Sequence, residues 1–112
     1  MSLSKRRLSG LIAALTVFAV SSGAYAAPLV VGPGGSLDIL TATTIDGASS
    51  NQGTVDIQIP NGELTNSGTL ANALSGTLTN NNFFTNDTSA TLNNDGALDN
   101  NGSIDNLGAF TN

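Results

Sequence analysis

The chain has 112 residues, with eight carboxylates against three basic side chains and neither His nor Cys. The basic residues, Lys5, Arg6 and Arg7, all stand at the start. The remainder is purely acidic, which excludes nucleic acid and anionic membrane surfaces as partners, since both are held by Lys and Arg. A disulfide framework and the common nucleophile–base pairs are excluded by the same counts.

The first element in chain order is a targeting segment. The positive start is followed by an apolar run from Leu8 to Val20 and by Ala24-Tyr25-Ala26, a small-x-small cleavage site. That order predicts a secretory signal peptide over 1–26. The apolar run of 13 residues is shorter than the roughly 20 that cross a bilayer. The expected mature chain, 27–112, is exported through the Sec pathway and has no membrane insertion of its own.

The segment 27–61 alternates apolar and polar residues in "SLDIL" and "TVDIQI", which predicts strands with one buried face. A faint hexad phase runs through positions 35, 41, 47 and 53, but Thr43 and Ser49 fill its apolar slot poorly. This stretch reads as an N-terminal β cap or first coils.

From 62 to 112 a unit Gly-x-apolar-x-Asn-x recurs. Units start at 62, 68, 76, 82, 90, 96, 102 and 108. The apolar slot holds Leu64, Leu70, Leu78, Phe84, Leu92, Leu98, Ile104 and Phe110; the Asn slot holds Asn66, Asn72, Asn80, Asn86, Asn94, Asn100, Asn106 and Asn112. Asn82 and Ala90 replace Gly in two units, and two-residue insertions fall at Leu74-Ser75 and Thr88-Ser89. Three extra residues near Pro60-Asn61 join the two phases. A six-residue unit with Asn and Gly in every copy is too short for a helical repeat and suits a short strand plus a bend. Three units would close one coil of a parallel β-solenoid. The expected fold is therefore all-β, a parallel β-helix of about four short coils, uncapped at its end. Asn would either tolerate a left-handed bend and help its own turn or form amide ladders between coils, and Gly would permit a tight turn. The competing pattern is a set of β-hairpins turning at pairs such as Asp46-Gly47 and Asn101-Gly102.

"GELTNSGTLANALSGTLTNN" and "GALDNNGSIDNLGAFTN" resemble the passenger repeats of autotransporters and of filamentous-haemagglutinin-type adhesins of Gram-negative bacteria. The resemblance implies a secreted right-handed β-helix at the extracellular or outer-membrane surface, acting in adhesion, aggregation and biofilm attachment. It also implies a truncated or fragmentary member, because the chain has no room for a membrane barrel and stops within a repeat. "IPNGEL" shares only Pro60-Asn61-Gly62 with the Asn-Pro-Asn-Gly signature of two-partner adhesins.

Repetition is a poor way to build a catalytic site, and the expectation is no catalytic, cofactor-binding or metal residues. Asp95, Asp99 and Asp105 could pair as in glycosidases, but they occupy repeat positions without an aromatic sugar platform. Gly34-Gly35-Ser36-Leu37-Asp38 lacks the next glycine of the calcium nonapeptide repeat. Asn86-Asp87-Thr88 and Asn101-Gly102-Ser103 match the glycosylation sequon. Thr77-x-Thr79 alone fits an ice-binding row. The expected function is a non-enzymatic, adhesin-like surface module, with self-association through open solenoid ends. An amyloid-like fibre subunit is the alternative, and a carbohydrate-active β-helix is more remote.

Overall fold

A computed structural model of the protein describes residues 27–112; the expected signal peptide lies outside them. Every element there is a β-strand, and nearly all are four residues long. The first coil carries β1 (Val30–Val31), β2 (Ser36–Ile39) and β3 (Ala42–Ile45). The second carries β4 (Ala48–Asn51), β5 (Thr54–Ile57) and β6 (Glu63–Asn66). The third has β7 (Thr69–Asn72), β8 (Thr77–Asn80) and β9 (Phe83–Asn86). The fourth has β10 (Thr91–Asn94), β11 (Ala97–Asn100) and β12 (Ser103–Asn106), and β13 (Ala109–Thr111) begins the next turn.

Each strand from β1 to β10 pairs in parallel with the strand three places later. The result is three sheets, ordered β1-β4-β7-β10-β13, β2-β5-β8-β11 and β3-β6-β9-β12. All pairings among the described residues are parallel, which rules out the hairpin arrangement. The register is strict: Leu70 lies opposite Leu92, and Leu92 opposite Phe110. Parallel strands need a crossover connection, and here the other two strands of the coil supply it. The chain is a parallel β-solenoid of about four coils. The 61/62 division falls inside the second coil, between β5 and β6, so 27–61 forms the first coils of the same stack rather than a separate cap.

The two-residue period of a strand puts its second and fourth residues on one face. The burial pattern follows it, with those two positions buried in β2 to β10. Second positions form the apolar column, including Leu64, Leu70, Leu78, Phe84 and Leu92, all at most 2% exposed. Thr43 and Ser49 hold the same inward place and are buried too. Their hydroxyls are satisfied: the Ser49 Oγ accepts from the Leu29 N–H of the preceding coil at 2.9 Å, and the Thr43 hydroxyl donates to the Thr41 carbonyl at 3.1 Å. The weakest part of the hexad phase is thus two regular strands.

Corners are short. Most are two residues, such as Ser67-Gly68 and Asn101-Gly102, whereas 74–75, 88–89 and 59–61 are turns at the lengthened corners where the spacing put the extra residues. Corner backbone also bonds from coil to coil, as where the Thr69 N–H donates to the Gly47 carbonyl at 2.9 Å.

The repeat glycines have a different reason from the one expected. Positive φ occurs only at Gly34 (77°) and Gly47 (67°) among the described residues, and at no non-glycine residue. The glycines from Gly62 onward are needed because the coils touch at the corners. A Cβ on Gly68 would collide with the Gly47 backbone, and one on Gly102 with the Asn82 backbone. Asn82 fits its glycine slot beside the lengthened corner 58–62, where its amide donates to the Gly62 carbonyl at 2.7 Å and the Pro60 carbonyl at 3.2 Å.

Candidate functional site

Asparagine is the residue whose role the structure decides. It does not sit in a left-handed bend. It is the last residue of its strand, its side chain points inward, and Asn66, Asn80 and Asn86 are fully buried. A buried amide that found no partner would cost about 1–3 kcal/mol, so each must be satisfied inside the stack. Three amide columns do this, one per sheet. In the first, the Asn51 Nδ2 donates to the Asn72 Oδ1 at 2.8 Å, Asn72 to Asn94 at 2.7 Å, and Asn94 to Asn112 at 2.7 Å. In the second, Asn66 donates to Asn86 and Asn86 to Asn106, both at 2.8 Å. In the third, Asn80 donates to Asn100 at 2.7 Å.

The second amide proton and the oxygen are used as well. Nδ2 of Asn51, Asn66, Asn72, Asn80 and Asn86 also reaches the carbonyl that opens the strand after its ladder partner's, Thr77, Thr91, Ala97, Ser103 and Ala109 respectively, at 2.8–2.9 Å. Oδ1 of Asn51, Asn66, Asn80 and Asn100 accepts the N–H two residues on, at Gly53, Gly68, Asn82 and Gly102. Ladder and turn roles therefore coincide in one side chain. No buried side-chain N or O among the described residues lacks a partner.

The sequence carried a signal for this inward placement. The Asn slot is two residues from the apolar slot, hence on the same strand face, and in the first coils Ile39, Ile45 and Ile57 fill it. An interior position can alternate between Ile and Asn only where the amide is paired by the coil above.

Outward positions form the surface. On the β2 sheet the third positions put Asp38, Asp56, Thr79 and Asp99 in register; the Gln58 amide lies 3.4 Å from the Asp38 carboxylate. On the β3 sheet the corresponding row is Thr44, Thr65, Thr85 and Asp105. Asp99 and Asp105 are exposed and belong to different sheets, and Asp95 lies at the corner before β11. The structure does not gather the three carboxylates on one face. Among the described residues no group of three or more acidic, His or Cys side chains could hold a metal ion. Thr77-x-Thr79 is not continued along its sheet, where Thr54-x-Asp56 and Ala97-x-Asp99 flank it. Of the two sequons, Asn86 is sealed in a ladder, while Asn101 is exposed at a corner with its amide 3.1 Å from the Asn81 oxygen.

Among the described residues β11, β12 and β13 are the last strands of their sheets. The interior shows there: Leu98 and Ile104 are only partly buried, and Phe110 is 39% exposed.

Fold and surface together define a small all-β parallel solenoid with an amide-laddered interior. No family model matches the chain, and no curated protein or solved structure does.

Proposed function

We propose that the protein is an exported, non-enzymatic surface module of adhesin type, mediating attachment or aggregation through its outer faces. The observation that carries this reading is the strict register of the outward rows. Small polar and acidic side chains repeat at the strand spacing of about 4.8 Å on a scaffold whose inward side chains are committed to stacking. Such a surface offers many copies of one weak contact, and multivalent contact is how a repetitive surface gains avidity. The resemblance of the hexads to autotransporter and haemagglutinin-type repeats supports the same reading, with a location at the surface of a Gram-negative cell and a role in biofilm. The test is attachment of beads coated with the protein to abiotic surfaces and to cells. Retention above that of beads coated with an unrelated acidic protein is expected; equal retention would refute the reading.

The in-register amide columns favour a second reading, a self-assembling fibre subunit. Sedimentation read beside far-UV circular dichroism separates the two. A β-rich monomer supports the discrete module, and long β-rich assemblies that grow with concentration support the fibre.

A further inference from the structure

One corner departs from the small polar surface of the repeat. It joins the β2 sheet to the β3 sheet and holds Leu40-Thr41 in the first coil, 58–62 in the second and Asn81-Asn82 in the third. Seven large apolar side chains are exposed among the described residues, and three of them gather here. Leu40 is 51% exposed, Ile59 66%, and Phe83, which opens β9 directly after the corner, 39%. With one coil per step of about 4.8 Å, the three span roughly 10 Å along the axis. The other four stand on the β1 sheet or at the other two corners. A lone exposed apolar residue is ordinary, whereas a group of them marks a contact surface. The backbone that presents Ile59 is held in place. The Gly62 N–H donates to the Gln58 carbonyl at 2.7 Å, and Asn82, standing where the repeat calls for glycine, binds the Pro60 and Gly62 carbonyls. Carboxylates flank the group on both sides. Asp38 and Asp56 lie in register on the β2 sheet, with the Gln58 amide 3.4 Å from the Asp38 carboxylate. Glu63 is exposed on the β3 sheet, in register with Phe83.

We infer that this corner is a docking site for a segment of another protein that carries both apolar and basic side chains. Leu40, Ile59 and Phe83 supply apolar anchors that a partner can cover, and the flanking carboxylates pair with its basic groups and steer its approach. A held backbone adds to this, because less freedom is lost when the partner docks. Charge selects the occupant. A second copy of residues 27–112 would bring eight carboxylates and no basic side chain, and so would set like charges across the contact. Three apolar side chains cover far less than the about 800 Å² per partner of a standard interface. The site therefore suits a short segment held reversibly rather than a globular partner. This reading rests on the corner itself, independently of the attachment role. A protein that fails the bead assay but binds the segment leaves the inference standing.

The experiment follows the fluorescence anisotropy of a short labelled peptide of alternating leucine and lysine as the full chain is added. Two counterpart peptides carry serine in place of leucine, or glutamate in place of lysine. Saturable binding of the Leu–Lys peptide is expected, with each counterpart at least about tenfold weaker. The variant I59S/F83S should weaken the Leu–Lys peptide by at least about tenfold, whereas L74S, at a separate corner, should leave it unchanged. Replacing the three flanking carboxylates, D38N/D56N/E63Q, should weaken it and flatten its dependence on salt. No saturable binding, equal binding of the Ser–Lys peptide, or full affinity in I59S/F83S would overturn the inference. So would tighter binding to phosphatidylcholine vesicles through the same side chains, which would make lipid the occupant. Should the double variant lose its β signal, I59S alone and the three peptides on the unaltered chain decide the matter.

Discussion

Asn86 shows how much one residue does here. Its amide receives from Asn66 and donates to Asn106 and to the Ala109 carbonyl, all at 2.8 Å, with no solvent to replace them. Asn86→Ala should destabilise the fold by about 3 kcal/mol, since partners on both sides lose a bond in a dry interior. Asn112→Ala, at the exposed last rung, should fall within about 0.5 kcal/mol of the unaltered chain. Urea midpoints for the two variants check the contrast, and similar values would mean that the ladder adds little. Replacing Asn66, Asn86 and Asn106 together by Ile should be milder than three independent losses, because no orphaned amide then remains in that column. The glycines make a parallel case. Gly68→Ala forces its methyl into the Gly47 backbone, whereas a methyl on Gly32 meets nothing within 4 Å. The first should cost about 1–3 kcal/mol, and the second about 0.5 kcal/mol or less in either direction. Thermal melts of both variants settle it.

At the scale of the strand, four residues are enough because the partner strands above and below do the stabilising. An isolated four-residue strand would not persist; in β8 each residue has an in-register neighbour on both sides, in β5 and in β11. Register is set by the inward columns, so corner length is free to vary wherever the loop can project outward. Leu74, in the insertion 74–75, is 86% exposed and shows that a corner residue need not pack even when apolar. Removing Thr88 and Ser89 would shorten the corner between β9 and β10 to two residues, as Ser67-Gly68 is one coil below. That deletion should leave the β signal in circular dichroism intact and the stability within about 1 kcal/mol. Loss of the β signal would show that this corner, and not the columns, holds the register. The phase and the insertion points were legible because Leu and Asn recur in fixed slots. β3 and β4 were hard to read because Thr43 and Ser49 replace the apolar residue, and Ser49 meets its partner, the Leu29 N–H, twenty residues away.

For the whole molecule, stability depends on the neighbours each coil has. A stack behaves as a line of units coupled to their nearest neighbours, so the same substitution should matter most where a coil is covered on both sides. Leu78 is covered on both sides and 2% exposed; Leu98, one rung later in the same column, is at the edge and only partly buried. Leu78→Asp should abolish cooperative unfolding by placing an unpaired charge in the interior. Leu98→Asp, for which the hexad pattern alone predicts equal damage, should fray only the last coil. Hydrogen exchange mapped along the chain distinguishes these outcomes: protection of β4–β9 should survive L98D and vanish in L78D.

What the sequence determined by itself is the repeat: a period of six, an inward slot that is apolar in every unit from 62 to 112, the places where the period stretches, and the class of fold that such a unit can build. These are local properties, written in spacing and side-chain type. What only the tertiary structure decided is where each asparagine points, why the corners require glycine, and which rungs are edges. Those depend on the coil above and the coil below. An Asn at a strand end is a turn former or a ladder rung according to what lies about 4.8 Å away along the axis, and that neighbour stands some twenty residues distant in the chain, as Asn66 does from Asn86.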